Sequence, residues 1–124
     1  MSSITTDGLA TLDGKIDASL KKLLPTAWVN FDGTDGSIRD SYNVSVARTE
    51  IGVYAITFTE PMDNTNYVVS SFCNDADGSG GNFNHTIPTA SMTVTGFELR
   101  SMTSTGNALT DLPLNMVQLF GGLD

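Results

Sequence analysis

From residue 26 onwards, apolar and polar positions alternate along the chain with a period of two. Ala27, Val29 and Phe31 share one face of a first segment, and Tyr54, Ile56 and Phe58 share one face of a later segment. Alternation of this kind predicts half-buried β-strands. Further strands are predicted over residues 44–47, 67–73, 83–87, 92–99 and 116–120. Turn residues separate the segments at intervals of about ten residues, which indicates an antiparallel sandwich or a small barrel.

We therefore expect one mainly β domain over residues 26–124, with an antiparallel, jelly-roll-like β-sandwich as the fold. Residues 103–114 are ambiguous, because their pattern fits a strand, a turn or an arm that lies on a neighbouring molecule. Residues 74–82 are rich in glycine, asparagine and aspartate, and we expect a loop there.

The first 25 residues follow a different pattern, in which apolar positions differ by three or four. That spacing is the period of an α-helix with one apolar stripe. The residues of this stripe are Leu9, Leu12, Ile16, Leu20, Leu23 and Leu24. Pro25 ends the predicted helix, because the residue before a proline avoids helical backbone angles. Gly8 and Gly14 weaken the helix, so its stripe needs a covering surface.

Two surfaces could cover this stripe: the sheet of the same chain, or the same segment in other copies. We favour the second, with Leu9, Leu12, Ile16, Leu20 and Leu23 as the oligomer interface. Three aspartates and three lysines balance within residues 1–24, so the net charge of −8 falls on residues 25–124. Residues 1–25 are therefore predicted to serve in oligomerisation or attachment, since copies can meet there without repulsion.

Composition excludes several classes of partner and site. At 124 residues the chain has the length of one domain. Its net charge of −8 argues against nucleic acid and against an anionic membrane as partners. One cysteine and one histidine exclude an internal disulfide and a multi-histidine metal site. The N-terminus lacks the basic and apolar regions of a secretory signal.

Few residues offer catalytic chemistry, and we expect neither an enzyme nor a cofactor or metal site. His85 has no partner motif around it, so we expect a histidine at the surface. Cys73 ends an apolar strand and is expected to be a small buried hydrophobe. Asp75 and Asp77 could begin a calcium loop, but Thr86 stands where such loops require a glutamate. A solvated loop is the preferred interpretation, and ion binding there stays open.

Several stretches of the first two-thirds of the chain resemble a β module of tailed bacteriophages, which occurs in tail fibres, tail spikes and other proteins of the virion surface. These stretches read AWVNFDGT (27–34), IRDSYNVS (38–45), GVYAITF (52–58), PM (61–62) and NY (66–67). The resemblance covers about residues 26–73 and fades after Cys73. It implies a non-enzymatic virion component, usually trimeric, with β domains behind a helical or fibrous stem.

We expect the 124 residues to be the complete protein, without a fibre shaft. The chain then looks most like a decoration protein that stabilises a capsid from outside, with the major capsid protein as its partner. It would be made in the host cytoplasm and end up in the virion.

The alternative is a tail fibre or tail spike domain that binds tail proteins and a glycan of the host surface. Aromatic and amide side chains suit sugars, so the contact residues would be Trp28, Tyr42, Asn82 and Phe83. For Trp28 itself we favour packing in the core.

Overall fold

The computed structural model describes residues 22–76, 78 and 82–124, and this part of the chain contains eight β-strands and one short 3₁₀ helix. The strands are β1 (Ala27–Phe31), β2 (Ile38–Tyr42), β3 (Val44–Glu50), β4 (Val53–Phe58), β5 (Val68–Asn74), β6 (Phe83–Thr86), β7 (Gly96–Thr103) and β8 (Leu114–Phe120). The 3₁₀ helix, Thr89–Ser91, lies between β6 and β7. Among these residues, no helix has the length and apolar character needed to cross a membrane.

The strands form two four-stranded antiparallel sheets. Sheet A has the order β2-β1-β8-β5, and sheet B has the order β3-β4-β7-β6. The predicted two-sheet antiparallel architecture is therefore confirmed. The order differs from the jelly-roll-like arrangement that we expected, because β1–β2, β3–β4 and β6–β7 pair as consecutive strands within one sheet. Short connections such as Ile51–Gly52 favour this result, since a tight turn joins neighbouring antiparallel strands.

The hydrophobic core lies between the two sheets and follows the predicted alternation. The core residues of β1 and β4 are the predicted ones: Ala27, Val29, Phe31, Tyr54, Ile56 and Phe58. The strands β7 and β8 add Phe97, Leu99, Val117 and Leu119. Phe31 of sheet A and Tyr54 of sheet B pack edge to face, with ring centroids 5.0 Å apart. This packing across the layers fixes which face of each sheet is left to the outside.

Two segments differ from the sequence prediction, and the structure resolves a third that the sequence left open. The edge strand β2 was missed, because its side chains are exposed or half-buried and do not alternate. The strand β7 begins at Gly96 rather than at Met92, since the N–H group of Thr93 donates to the carbonyl of Gly96 (2.9 Å) and closes a turn there. The ambiguous segment after β7 is a loop with one isolated bridge, between Met102 and Leu109.

Most of the helix predicted over residues 1–25 lies outside the described residues. The predicted interface residues in that part are Leu9, Leu12, Ile16 and Leu20. Leu23 lies in a turn and Leu24 in a bend, and their side chains are 69% and 54% exposed. The chain then joins β1, where the N–H group of Thr26 donates to the carbonyl of Leu119 (2.7 Å). The N-terminal segment therefore enters the fold at an inner strand of sheet A.

Candidate functional site

The outer face of sheet A is largely apolar. Because alternate residues of a strand point to opposite faces, the residues of β1, β5 and β8 that alternate with the core positions project outward, as do their cross-strand neighbours in β2. We call six of these outer residues the apolar face: Trp28, Tyr42, Val68, Phe72, Met116 and Phe120. The strand register makes them direct cross-strand neighbours in the pairs Trp28–Tyr42, Phe72–Met116 and Val68–Phe120. The polar pair Ser70–Gln118 lies between the last two of these pairs. Exposed apolar side chains grouped in this way are typical of an interaction site.

A groove of about 460 Å³ crosses the apolar face. Trp28, Phe72 and Met116 supply apolar walls, and Asn30 and Gln118 supply amide groups beside them. The side chains of Phe72 and Met116 are 51% and 39% exposed. Aromatic surface next to amides can receive an apolar side chain of a partner protein or the face of a sugar ring.

Arg39 lies beside Asn30 of this groove, and groups of the chain itself bind its guanidinium. Its Nη1 atom donates to Oδ1 of Asn30 (3.2 Å), and its Nη2 atom donates to the carbonyl of Pro113 (2.7 Å). The same Nη2 atom is 4.0 Å from Oδ2 of Asp32. The side chains that line the groove in the described part of the chain carry no charge. The groove is therefore suited to apolar contacts and neutral hydrogen bonds.

The outer face of sheet B is polar by comparison. Its central strands present Ala55, Thr57, Glu98 and Arg100, and Nε of Arg100 lies 2.7 Å from Oε2 of Glu98. A smaller groove of about 250 Å³ on this side is lined in large part by threonines. The contrast between the two faces identifies sheet A as the side of the sandwich that favours apolar contact.

His85 faces the interior, which corrects the expectation of a surface histidine. The strand β6 presents it to sheet A, where its Nε2 atom lies 2.8 Å from Oδ1 of Asn115. Burial lowers the pKa of His85, and the hydrogen bond to Asn115 opposes this shift. Cys73 is the cross-strand neighbour of Asn115 and is buried, as predicted, and burial raises the pKa of its thiol. A neutral interior imidazole and a protonated buried thiol fit a structural role.

A polar cluster closes the end of the sandwich near the turn between β1 and β2. The hydroxyl of Tyr54 lies 2.8 Å from the carbonyl oxygen of Gly33 and 3.0 Å from Oδ1 of Asp111. Asp111 also accepts from Nη2 of Arg48 (2.8 Å) and from the N–H group of Gly52 (2.8 Å). Burial raises the pKa of Tyr54 to about 12. Burial would also raise the pKa of Asp111, but the hydrogen bonds from Arg48 and Gly52 outweigh it and lower that pKa. Neither group changes protonation near neutral pH, so the cluster anchors a loop rather than moving protons.

The loop considered as a possible calcium site lies partly outside the described residues, because these do not include Asp77. The N–H group of Asp75 donates to Oδ1 of Asn74 (2.9 Å). Within residues 22–76, 78 and 82–124, no three His, Cys, Asp or Glu side chains come together in a way that could hold a metal ion.

The structure brings together only part of the predicted glycan-contact set. Trp28 and Tyr42 are neighbours on the apolar face, so the expectation that Trp28 packs in the core is wrong. Asn82 and Phe83 lie at the start of β6 in sheet B, away from this pair. Phe72 was not predicted as a site residue, although it stands next to buried Cys73 in β5.

Compared with known proteins, the chain matches no protein-family model, no curated protein and no solved structure.

Proposed function

We propose that this chain is a non-enzymatic structural protein of a bacteriophage virion that acts as a homotrimer on the exterior of the capsid. The resemblance of residues 26–73 to a β module of virion surface proteins is the reason for proposing a virion protein. Residues 26–73 supply β1 to β4 and most of β5 to the two-sheet fold, which agrees with a β module. The trimer would assemble through the stripe residues Leu9, Leu12, Ile16, Leu20 and Leu23.

The single observation that carries the proposal is the apolar face of sheet A. Val68 is 61% exposed and Phe72 is 51% exposed, on the edge strand β5, where they pair with Phe120 and Met116 of β8. Covering such a face stabilises an assembly by about 25 cal/mol for each Å² of apolar surface removed from water. Because the side chains stand on paired strands, little conformational freedom is lost when a partner covers them. These properties favour a role in assembly.

The acidic charge of the domain opposes the association of copies. Each chain carries a net charge of −8, so copies repel one another unless an apolar contact outweighs the repulsion. A capsid offers many equivalent binding positions on its major capsid protein. A trimer that spans neighbouring subunits adds several weak contacts into stable binding through multivalency.

Immunogold electron microscopy of intact virions tests this proposal. An antibody raised against the purified chain is expected to label the capsid surface, and virions from which the gene is deleted serve as the control. Deletion is also expected to lower the temperature at which capsids release their DNA. Absence of label from the virion would contradict the proposal, and label confined to the tail would favour the second candidate below.

The second candidate is a receptor-binding domain of a tail fibre or tail spike. One observation favours it: Trp28 and Phe72 flank the amides of Asn30 and Gln118 in an open groove. Binding of the purified chain to host cells or to a glycan array, reduced by Phe72→Ala and unaffected by Thr57→Ala on the other sheet, would support this candidate. Absence of binding in both assays would count against this candidate.

A further inference from the structure

Two apolar surfaces of this chain need a covering surface. One is the apolar face of sheet A, and the other is the stripe that the sequence predicts over residues 9–24. The two adjoin along the chain, because the stripe ends at Leu24 and Trp28 of the apolar face follows four positions later. Each surface is therefore a candidate partner for the other.

Their dimensions are compatible. A helix over residues 9–21, before the turn that contains Leu23, would be about 20 Å long at a rise of about 1.5 Å per residue. The strands β5 and β8 have seven residues each, which corresponds to about 24 Å at about 3.4 Å per residue. Four strands at a spacing of about 4.8 Å are wide enough to seat one helix of about 10 Å diameter.

The exposure of Leu23 and Leu24 favours the sheet of another copy over the chain's own sheet. Leu23 and Leu24 are 69% and 54% exposed. The described end of the stripe is thus not covered by its own sandwich and is accessible to a neighbouring copy.

Charge favours the same pairing. Residues 1–24 are neutral and contain Lys15, Lys21 and Lys22, whereas residues 25–124 carry the whole net charge of −8. Two sandwiches that approach each other repel, but a neutral segment with lysines does not repel an acidic sandwich. Asp40, the cross-strand neighbour of Asn30, supplies a carboxylate at the rim of the apolar face.

We propose that the N-terminal segment of each copy covers the apolar face of the next copy, so that three copies close into a ring. This inference rests on the trimer of the proposed function and names the contact that holds it together. The contact is heterologous, with the stripe of one copy on the sheet of the next, and a three-fold rotation closes it. The apolar face of every protomer is then covered without any contact between two acidic sandwiches.

The first experiment places a charge in the stripe. Ile16→Asp is expected to lower the mass in light scattering from three chains to one. Ala18→Asp adds the same charge on the opposite side of the predicted helix and is expected to leave the mass unchanged. Trp28 is the chain's only tryptophan and lies on the apolar face. Its emission is expected to shift to longer wavelength, with stronger acrylamide quenching, in Ile16→Asp only.

The second experiment places a charge on the apolar face. Met116→Asp is expected to give monomers, whereas Thr57→Asp, on the outer face of sheet B, is expected to stay trimeric. A mixture of Ile16→Asp and Met116→Asp is then expected to form complexes of two chains. The first variant keeps an intact face and the second keeps an intact segment, so one contact is restored. Far-UV circular dichroism checks that each variant is folded, and Phe72→Ser replaces Met116→Asp if that variant is not.

Three results would overturn the inference. If Met116→Asp stays trimeric while Ile16→Asp dissociates, the segments join one another, and the trimer stands without this contact. If the two variants remain monomeric after mixing, no segment reaches the face of another copy. If the unmodified chain is a monomer whose Trp28 emission responds to neutral oligosaccharides, the proposed trimer is contradicted together with this inference. The receptor-binding candidate then gains support.

Discussion

The imidazole of His85 and the carboxamide of Asn115 join the two sheets by a hydrogen bond of 2.8 Å between Nε2 and Oδ1. Asn115 is fully buried in β8, and its Nδ2 atom donates to the carbonyl of Leu112 (2.7 Å). This second bond orients the amide, so Oδ1 faces the histidine as an acceptor. His85 must then carry a proton on Nε2. Its Nδ1 atom is buried without a hydrogen-bond partner among the described residues, and a second proton there would place an uncompensated charge in the interior.

Acid is therefore expected to destabilise the fold through His85. Burial lowers its pKa below the ordinary value of 6.5, so the unfolded chain binds a proton at a higher pH than the folded chain does. The free energy of unfolding falls as the pH drops through 6.5 towards the lowered pKa. Urea unfolding at pH 7.5 and at pH 5.0 measures this loss, and His85→Gln is expected to reduce the difference between the two pH values. An equal difference in both proteins would contradict the assignment.

The hydroxyl of Tyr54 is expected to stabilise the end of the sandwich that holds Gly33 and Asp111. Tyr54→Phe removes the hydrogen bonds from this hydroxyl to the Gly33 carbonyl and to Asp111, and is expected to cost about 1–3 kcal/mol in the free energy of unfolding. Tyr42→Phe removes a hydroxyl from an exposed residue and is expected to change that free energy by less than about 0.5 kcal/mol. Equal losses in the two variants would show that the buried bonds contribute nothing.

Gly33 is expected to tolerate no side chain. A Cβ atom there would overlap the hydroxyl of Tyr54 and come within 2.5 Å of the carbonyl oxygen of Leu112. Gly33→Ala is therefore expected to lower the free energy of unfolding by about 3 kcal/mol, because backbone must move to make room. Gly106→Ala meets open space and has only its positive φ of 92° to oppose it, which costs about 1–2 kcal/mol. Thermal unfolding of the two variants measures the order, and a more stable Gly33→Ala would contradict it.

The strands that the sequence predicts well are those in which burial alternates. In β1 and β4, one face is in the core, so period-two patterning identified both the strands and their buried residues. The strand β2 shows no such pattern. It is an edge strand whose side chains are exposed or half-buried, so apolar and polar residues do not alternate along it. Residues 1–21 lie outside the described part of the chain, and the helix predicted there stays a prediction.

The site residues were harder to predict, because they depend on which face of a strand meets the other sheet. Alternation already placed Trp28 opposite to Ala27 and Val29, yet we expected it to pack in the core. Phe72 and Met116 are separated by more than forty residues and meet only because β5 pairs with β8. His85 and Asn115 come together across the two sheets in the same way. Contacts between distant segments leave no local pattern in a single sequence.

Sedimentation velocity of the unmodified chain tests the central claim most directly, because the account requires copies to associate through their N-terminal segments and apolar faces. At micromolar concentrations the account predicts one species with three times the mass of a single chain, which persists when salt screens the acidic charge. A single species with the mass of one chain at every concentration would contradict it.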